Sequence, residues 1–350
     1  RWMQMKLIKA GVIGASGYAG AELVRLLLMH PYAELTAISS QSYTGKPISE
    51  LYPGFYQLCD MVFSDEDTVI AASDIVFASL PHGLSEPLAR KCYDAHVKFI
   101  DLGADFRLRD EQDYREWYKL DYHDSELHEL AVYGLPELYR AQIKGADIIG
   151  NPGCYPTSIA LALAPLMKLG LVNEQHIIID AKSGTTGAGK GLSDNTHFPR
   201  CNEAFAPYKV AAHRHTPEIE QTLSELCHSK ASITFTPHLL PINRGIISTI
   251  YVDLTDEAIL EELWTMYRLF YQDEPFVRVL PLGSCADLKY IKYSNFCDVS
   301  LHMEARNNRL ILVSAIDNMV KGAAGQAIQN MNILFDCKED SGLMYVPASF

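Results

Sequence analysis

Short apolar runs alternate with helical patterns through the first 150 residues. Residues 7–13 predict a strand, 19–29 a helix and 34–39 a second strand. Two more strands are predicted at 74–79 and 97–102, on either side of a helical stretch at 86–94, and a last one at 147–150. Strands alternating with helices build a parallel sheet covered on both faces. The stretches 40–64 and 103–135, rich in Tyr, Pro and Asp, read as loops decorating that sheet. After Gly150 the pattern changes. Residues 156–169 predict a helix with Pro near its start and Gly170 at its end. Strands are predicted at 176–182, 232–236, 246–254, 298–305 and 309–316, with few helices between them, chiefly 217–228 and 257–271. That suits an α+β domain with a mostly antiparallel sheet, one face covered by helices. A final helix at 319–335 carries Gly322-Ala323-Ala324-Gly325, small residues that admit a close backbone, and is expected to pack back onto the first domain.

Composition narrows the picture. A chain of 350 residues with 48% hydrophobic and 21% charged positions suits two domains, with a core that needs neither disulfides nor metal. The net charge of −13 and the lack of a Lys/Arg-rich stretch argue against nucleic acid as a partner. One or two well-placed Arg residues still suffice for an anionic small molecule. The eight cysteines are scattered, form no CxxC pair and match no zinc template, so reduced thiols and no metal are expected. No apolar run approaches the ~20 residues of a membrane span, and the start shows no signal-peptide pattern; a cytoplasmic protein is expected.

Gly14-Ala15-Ser16-Gly17-Tyr18-Ala19-Gly20 lies between the first strand and the first helix. Glycines there permit a tight turn and let backbone N–H groups approach a phosphate at a helix start, so Gly14, Ser16, Gly17, Tyr18 and Ala19 are candidate nucleotide contacts. The second strand ends Ser39-Ser40-Gln41-Ser42, where NAD-specific domains usually carry an acid on the ribose. Hydroxyls at Ser39 and Ser40 donate to a 2′-phosphate that an acid would repel, which favours NADP (NADPH) over NAD. The alternative is that these serines cap a turn.

Cys154 stands in Asn151-Pro152-Gly153-Cys154-Tyr155-Pro156-Thr157, a sharp turn running into a helix. A helix N-terminus stabilises a thiolate, which points to covalent catalysis on a carbonyl carbon. Its acid/base partner is sought in His213-Arg214-His215-Thr216-Pro217-Glu218, where Thr216 is the expected N-cap and both histidines lie on one side of an extended segment. His215 sits nearest the positive helix end, a field that disfavours imidazolium, whereas His213 lies farther out.

Together these residues resemble the N-acetyl-gamma-glutamyl-phosphate reductase family, within the aspartate-semialdehyde dehydrogenase-like superfamily. Further anchors are Leu80-Pro81-His82-Gly83, the run from Asp101 to Leu108, Tyr133-Gly134-Leu135-Pro136-Glu137, the run from Ser183 to Lys190, and Asp317-Asn318. The resemblance implies a Rossmann-type NADP-binding domain over 1–150, completed by 317–350. It implies a catalytic, substrate and oligomerisation domain over 151–316, in a homodimer or homotetramer. It makes Cys154 the nucleophile in NADPH-dependent reduction of an acyl phosphate, through a thioester, to N-acetylglutamate semialdehyde and phosphate in arginine biosynthesis. Two other readings stay open: the same chemistry on an N-acetyl-aminoadipyl phosphate of a lysine route, and a non-enzymatic nucleotide-sensing protein. In the aspartate-semialdehyde branch the acid/base histidine follows an Arg-Gly pair, but here Ile246 follows Arg244-Gly245. The role therefore falls on His213 first and His215 second. Arg107 matches a phosphate-binding arginine, or else pairs with Asp101 or Asp105. Asn318 is a cofactor contact or a helix N-cap. Ser183 and Gly184 join the cofactor set, and Asn151 and Arg214 the substrate set. An arginine expected after Ser39 is missing, leaving Gln41 or Lys46 to help hold the 2′-phosphate.

Overall fold

The apolar run before the glycine loop forms β1 (Ile8–Ile13), whose Ala10, Val12 and Ile13 are wholly buried. In this computed structural model, which describes residues 6–348, β1 is the centre of a parallel sheet. Its other strands are β2 (Ala33–Ser39), β3 (Phe63–Ser64), β4 (Ile75–Ala78), β5 (Lys98–Asp101), β6 (Val132–Tyr133) and β7 (Ile148–Gly150). The order is β3-β2-β1-β4-β5-β7-β6. The chain leaves β1 toward β2 on one side and later pairs β4 on the other. In open parallel sheets such a reversal opens a crevice at the carboxyl ends of the strands, where ligands bind. This sheet and the returning segment Ala323–Met344 make one compact unit, which the chain leaves after Pro152.

The second unit, Gly153–Gly322, holds a mixed sheet in the order β12-β13-β14-β11-β8-β10-β9. Its strands are β8 (Val172–Ser183), β9 (Ala206–Pro207), β10 (Ile233–Leu239), β11 (Ile246–Leu254), β12 (Val277–Val279), β13 (Cys297–Glu304) and β14 (Arg309–Ile316). Only β8–β10 and β12–β13 pair in parallel; the other pairings are antiparallel. Alternate residues of β11 are buried, the signature of a sheet with one covered face. The covering helix is Cys154–Lys168, buried from Tyr155 through Met167. It is tied to the sheet by the Ser158 hydroxyl, 3.0 Å from those of Ser248 and Ser314.

Several elements differ from expectation. The stretch 103–135 is not loop throughout: it contains the helices Glu111–Tyr118 and Ser125–Leu130, started by the carboxylates of Asp110 and Asp124. These short, highly charged helices bury only one or two residues each, too few to show as a periodic apolar stripe. The long helix begins at Cys154, so the cysteine is its first residue. The final helix is Gly325–Leu334, preceded by a π-helical turn at Val320–Ala324. Residues 317–322 stay with the second unit and do not join the first. Among the described residues no helix is long and apolar enough to cross a membrane.

Candidate active site

In the first unit the glycine loop follows β1 as its residue types require. Gly14 adopts φ +79°, and a Cβ there would lie 2.3 Å from the Ser79 carbonyl oxygen. A Cβ on Gly20 would lie 2.3 Å from the Gly14 oxygen, so the first turn of the Tyr18–Leu27 helix presses onto the loop. The loop is held by Tyr52, whose hydroxyl donates to the Ser16 carbonyl at 2.9 Å, and by Ser40, whose hydroxyl donates to Ser16 Oγ at 2.7 Å. Gly17 caps a helix with no side-chain partner of its own, and Tyr18 opens it. This close backbone, with a helix start beside it, fits a dinucleotide pyrophosphate. The hydroxyls expected to meet a 2′-phosphate stand at the end of β2. Ser39 and Ser40 are both buried, and Ser40 directs its hydrogen to Ser16 inside the protein. Lys46 pairs with Glu50, while Gln41 is exposed.

Arg107 and Asn151, expected on the substrate, are both buried in this unit. Arg107 Nε donates to the Asn151 carbonyl at 2.7 Å and Nη2 to the Leu102 carbonyl at 2.8 Å. Its charge also acts on Asp101, in line with the structural alternative. The Asn151 amide donates to the Ala323 carbonyl at 3.1 Å and accepts from Asn330 at 3.2 Å, so it braces the returning segment. Below them lie two buried carboxylates. Asp105 accepts from Gly83 N, Ser85 N and the Tyr114 hydroxyl; Asp101 accepts from the Ser85 hydroxyl and Gly103 N. Burial first, and then Asp105, push the Asp101 carboxyl up to about 7.

The second unit builds its site around Cys154, half-buried at the helix start. Gly153 directly before it donates its N–H to Glu218 Oε1 at 2.8 Å, and Glu218 is fully buried. A Cβ on Gly153 would lie 2.6 Å from His215 Nε2, so the imidazole of His215 is stacked against the turn that carries the thiol. Gly322 closes the opposite side: its Cβ would meet the Cys154 Cβ at 2.7 Å. The small residues of the last segment thus admit the cysteine itself. Tyr208, from the stretch after β9, brings its hydroxyl to 3.3 Å from that of Tyr155 and 3.4 Å from His213 Nε2. Burial, and the negative charge of a Cys154 thiolate, push the Tyr208 phenol up to about 12.

The structure reverses the expectation for His213. His213 is the one in a proton-repelling field: burial first, then Lys209 and Arg214, lower it to about 3. Its Nδ1 accepts the backbone N–H of His215 at 3.1 Å, which a neutral ring does well. His215, and not Thr216, is the N-cap, and it makes no side-chain cap bond; Thr216 is the first helical residue. Asn318 is not the cap of the segment that follows it. It accepts from Gly245 N at 2.7 Å and donates to the Thr186 hydroxyl at 3.0 Å, while neighbouring Asp317 caps Met319 and Val320. Ser183 is buried at the end of β8, and a Cβ on Gly184 would strike the Asn243 carbonyl at 2.5 Å, so both shape the turn there. Glu218, Tyr208 and Gly322 had no assigned role in the sequence. Glu218 left a signal as part of the histidine motif and Gly322 as one of the small residues of the last segment, whereas Tyr208 left none. Among the described residues no group of three or more His, Cys, Asp or Glu forms a metal site.

Comparison with known proteins follows this geometry. Residues 9–146 match the semialdehyde dehydrogenase NAD-binding domain, and 154–318 the semialdehyde dehydrogenase dimerisation domain. An N-acetyl-gamma-glutamyl-phosphate reductase of Brachyspira hyodysenteriae is 56% identical over 352 residues, covering 98% of this chain and 100% of that protein. One from Clostridium beijerinckii is 53% identical over 344 residues, with the same 98% and 100% coverage. Among solved structures, aspartate semialdehyde dehydrogenase II of Vibrio cholerae complexed with ASA superposes with a TM-score of 0.72 at 16% identity, covering 95% of this chain and 99% of that one. Aspartate semialdehyde dehydrogenase with NADP from Candida albicans gives 0.71 at 15% identity, covering 94% and 99%. At such identities the likeness is one of fold.

Proposed function

The chain belongs to the semialdehyde dehydrogenase family, in its N-acetyl-gamma-glutamyl-phosphate reductase branch, and we propose that it reduces N-acetyl-gamma-glutamyl phosphate to N-acetylglutamate semialdehyde through a thioester on Cys154. The observation that carries this reading is Cys154 at the first position of a buried helix, with His215 against the preceding turn. Amides of the first helical turn favour negative charge on the sulfur. The thiolate adds to the acyl carbonyl, and the C–O bond to phosphate breaks with its electron pair. Phosphate leaves and a thioester remains. The glycine loop Gly14–Gly20 would hold the nicotinamide cofactor, whose chemistry would be hydride donation to bring the thioester to the aldehyde level. The resulting oxyanion collapses with release of the Cys154 thiolate, and the backbone N–H groups at the helix start stabilise it meanwhile. His215 acts as acid/base, handing over the proton that the overall reaction consumes. His213, held neutral, accepts from the His215 backbone and keeps that segment in place. Glu218 fixes the turn before the cysteine through Gly153 N.

A thioester accepts hydride far more readily than a carboxylate, which accounts for an activated acyl phosphate and a cysteine in one enzyme. Preference for NADP over NAD follows from the lack of an acid at the end of β2. A cytoplasmic homodimer or homotetramer serving arginine biosynthesis completes the reading. The test runs in the oxidative direction, with NADP⁺, phosphate and N-acetylglutamate semialdehyde, beside the homologue one methylene longer. Turnover with the shorter aldehyde, lost by several orders of magnitude in Cys154→Ser, is expected. Preference for the longer one would move the substrate to the aminoadipyl series, and near-wild-type turnover in Cys154→Ala would end the covalent mechanism.

A further inference from the structure

We propose that Tyr208 is a positioning residue: its phenol oxygen holds His213 as the neutral Nε2–H tautomer, and through His213 it sets the backbone from which His215 reaches the turn before Cys154. The proposal rests on the reading above only for the substrate of its kinetic test. The rings are placed by distance. A Cβ on Gly153 would lie 2.6 Å from His215 Nε2. Tyr155, the residue after Cys154, stands edge-on to both histidines, with centroids 5.5 Å from His213 and 6.0 Å from His215. Tyr208 and Phe235 enclose His213 further, at 5.5 and 5.4 Å and interplanar angles of 75° and 82°. Three aromatic rings nearly perpendicular to a buried imidazole fix its plane and leave its two nitrogens to be matched.

The matching runs in one direction. His215 N–H donates to His213 Nδ1 at 3.1 Å, so that nitrogen offers its lone pair. A neutral imidazole then carries its proton on Nε2, which lies 3.4 Å from the Tyr208 oxygen. A phenol has a single proton, and Tyr208 donates its own to the Tyr155 hydroxyl at 3.3 Å. Its oxygen is therefore the acceptor toward His213. With one nitrogen protonated and the other bonded to backbone, His213 has no lone pair to offer a thiol or a substrate, and that work falls to His215. The chain between the two partners is enforced from both ends. Tyr208 N–H donates to the Pro237 carbonyl of β10 at 3.0 Å, and Thr216 N–H donates to the His213 carbonyl at 3.0 Å. Between them Lys209 and Ala211 take φ of 45° and 54°, left-handed backbone that residues with a side chain seldom adopt. Such backbone persists where its surroundings enforce it, and the bond from His213 to the phenol closes the loop that does so.

The tautomer is read without substrate. Full-length protein carrying 15N-labelled histidine is followed by long-range proton–nitrogen correlation, and the His213 signal is assigned by its loss in His213→Asn. Wild type at neutral pH should show a neutral ring protonated on Nε2, with that proton exchanging slowly. Tyr208→Phe, which removes one oxygen, should speed this exchange by about tenfold or more. The same variant should raise the KM for N-acetylglutamate semialdehyde by about tenfold and keep kcat within about threefold. Because both residues act through one bond, the double variant with His213→Asn should raise KM no further than the larger single effect. A proton on Nδ1 in wild type, or unchanged exchange in Tyr208→Phe, would overturn the proposal. So would a fall confined to kcat, which would put Tyr208 in the chemistry itself, or effects on KM that multiply in the double variant. Phenol-dependent exchange of an Nε2 proton in an enzyme that ignores N-acetylglutamate semialdehyde would leave the proposal standing and defeat the functional reading.

Discussion

At the scale of single residues, the two histidines carry the sharpest test. Chain order favours His213 as the proton donor, because His215 adjoins a helix start whose field disfavours imidazolium. Burial and two nearby cations reverse that ranking, since they hold His213 near 3, where it has no proton to give at neutral pH. His215→Asn is therefore expected to lower kcat by ~10²–10⁴-fold, the usual range for a lost general acid/base. His213→Asn should act chiefly on KM, through the segment it braces. Steady-state kinetics of both variants decide, and the opposite split would return the role to His213. The cysteine was legible because its signal is local: a turn, a helix start and a proline within four residues. The shift on His213 was not legible, because it comes first from burial, which only the fold supplies, and then from Lys209, which lies across a left-handed turn that no periodicity announces.

At the scale of elements, the π-helical turn Val320–Ala324 does work that a regular helix would not. Insertions of this kind recur at functional sites because they alter which residue faces a neighbour. Here the residue is Gly322, and a methyl there would overlap the Cys154 Cβ at 2.7 Å. Gly322→Ala is expected to slow iodoacetamide labelling of Cys154 and turnover together, by about tenfold or more, since small displacements of a reacting group are costly. Unchanged labelling with unchanged kcat would show that the turn yields without moving the thiol. The sequence showed the small residues but not their partner, which only the fold supplies. The β2 end offers a second test at this scale. With Ser39 and Ser40 buried, an acid is best introduced at exposed Gln41. NADP⁺ should bind wild type about tenfold more tightly than NAD⁺, roughly 1.4 kcal/mol. In Gln41→Asp that margin should vanish through weaker NADP⁺ binding, as read by titration at fixed salt. Equal affinities for the two cofactors in wild type would remove the argument from the missing acid.

For the whole molecule, the two units carry titrating groups of opposite sign. In the first, Asp101 is pushed up to about 7 from an ordinary 3.8. Between those values the unfolded chain has released the proton and the fold still holds it, so the contribution to stability, full below about 4, is lost as pH rises toward 7. In the second, His213 falls to about 3 from 6.5. There the unfolded chain gains a proton that the fold refuses, so the contribution present above about 6.5 is lost as pH drops toward 3. Each group tilts stability by up to about 1.4 kcal/mol per pH unit within its window. The tilts oppose one another over the acidic range, and single variants should expose them. Relative to wild type, Asp101→Asn should gain melting temperature with rising pH, comparing pH 7.0 with pH 4.5, because it deletes a carboxylate the fold is reluctant to ionise. His213→Asn should show the reverse, faring better against wild type at the lower pH. Calorimetry of the three proteins at both pH values checks this, and shifts independent of pH in either variant would mean that the buried group does not titrate between fold and unfolded chain.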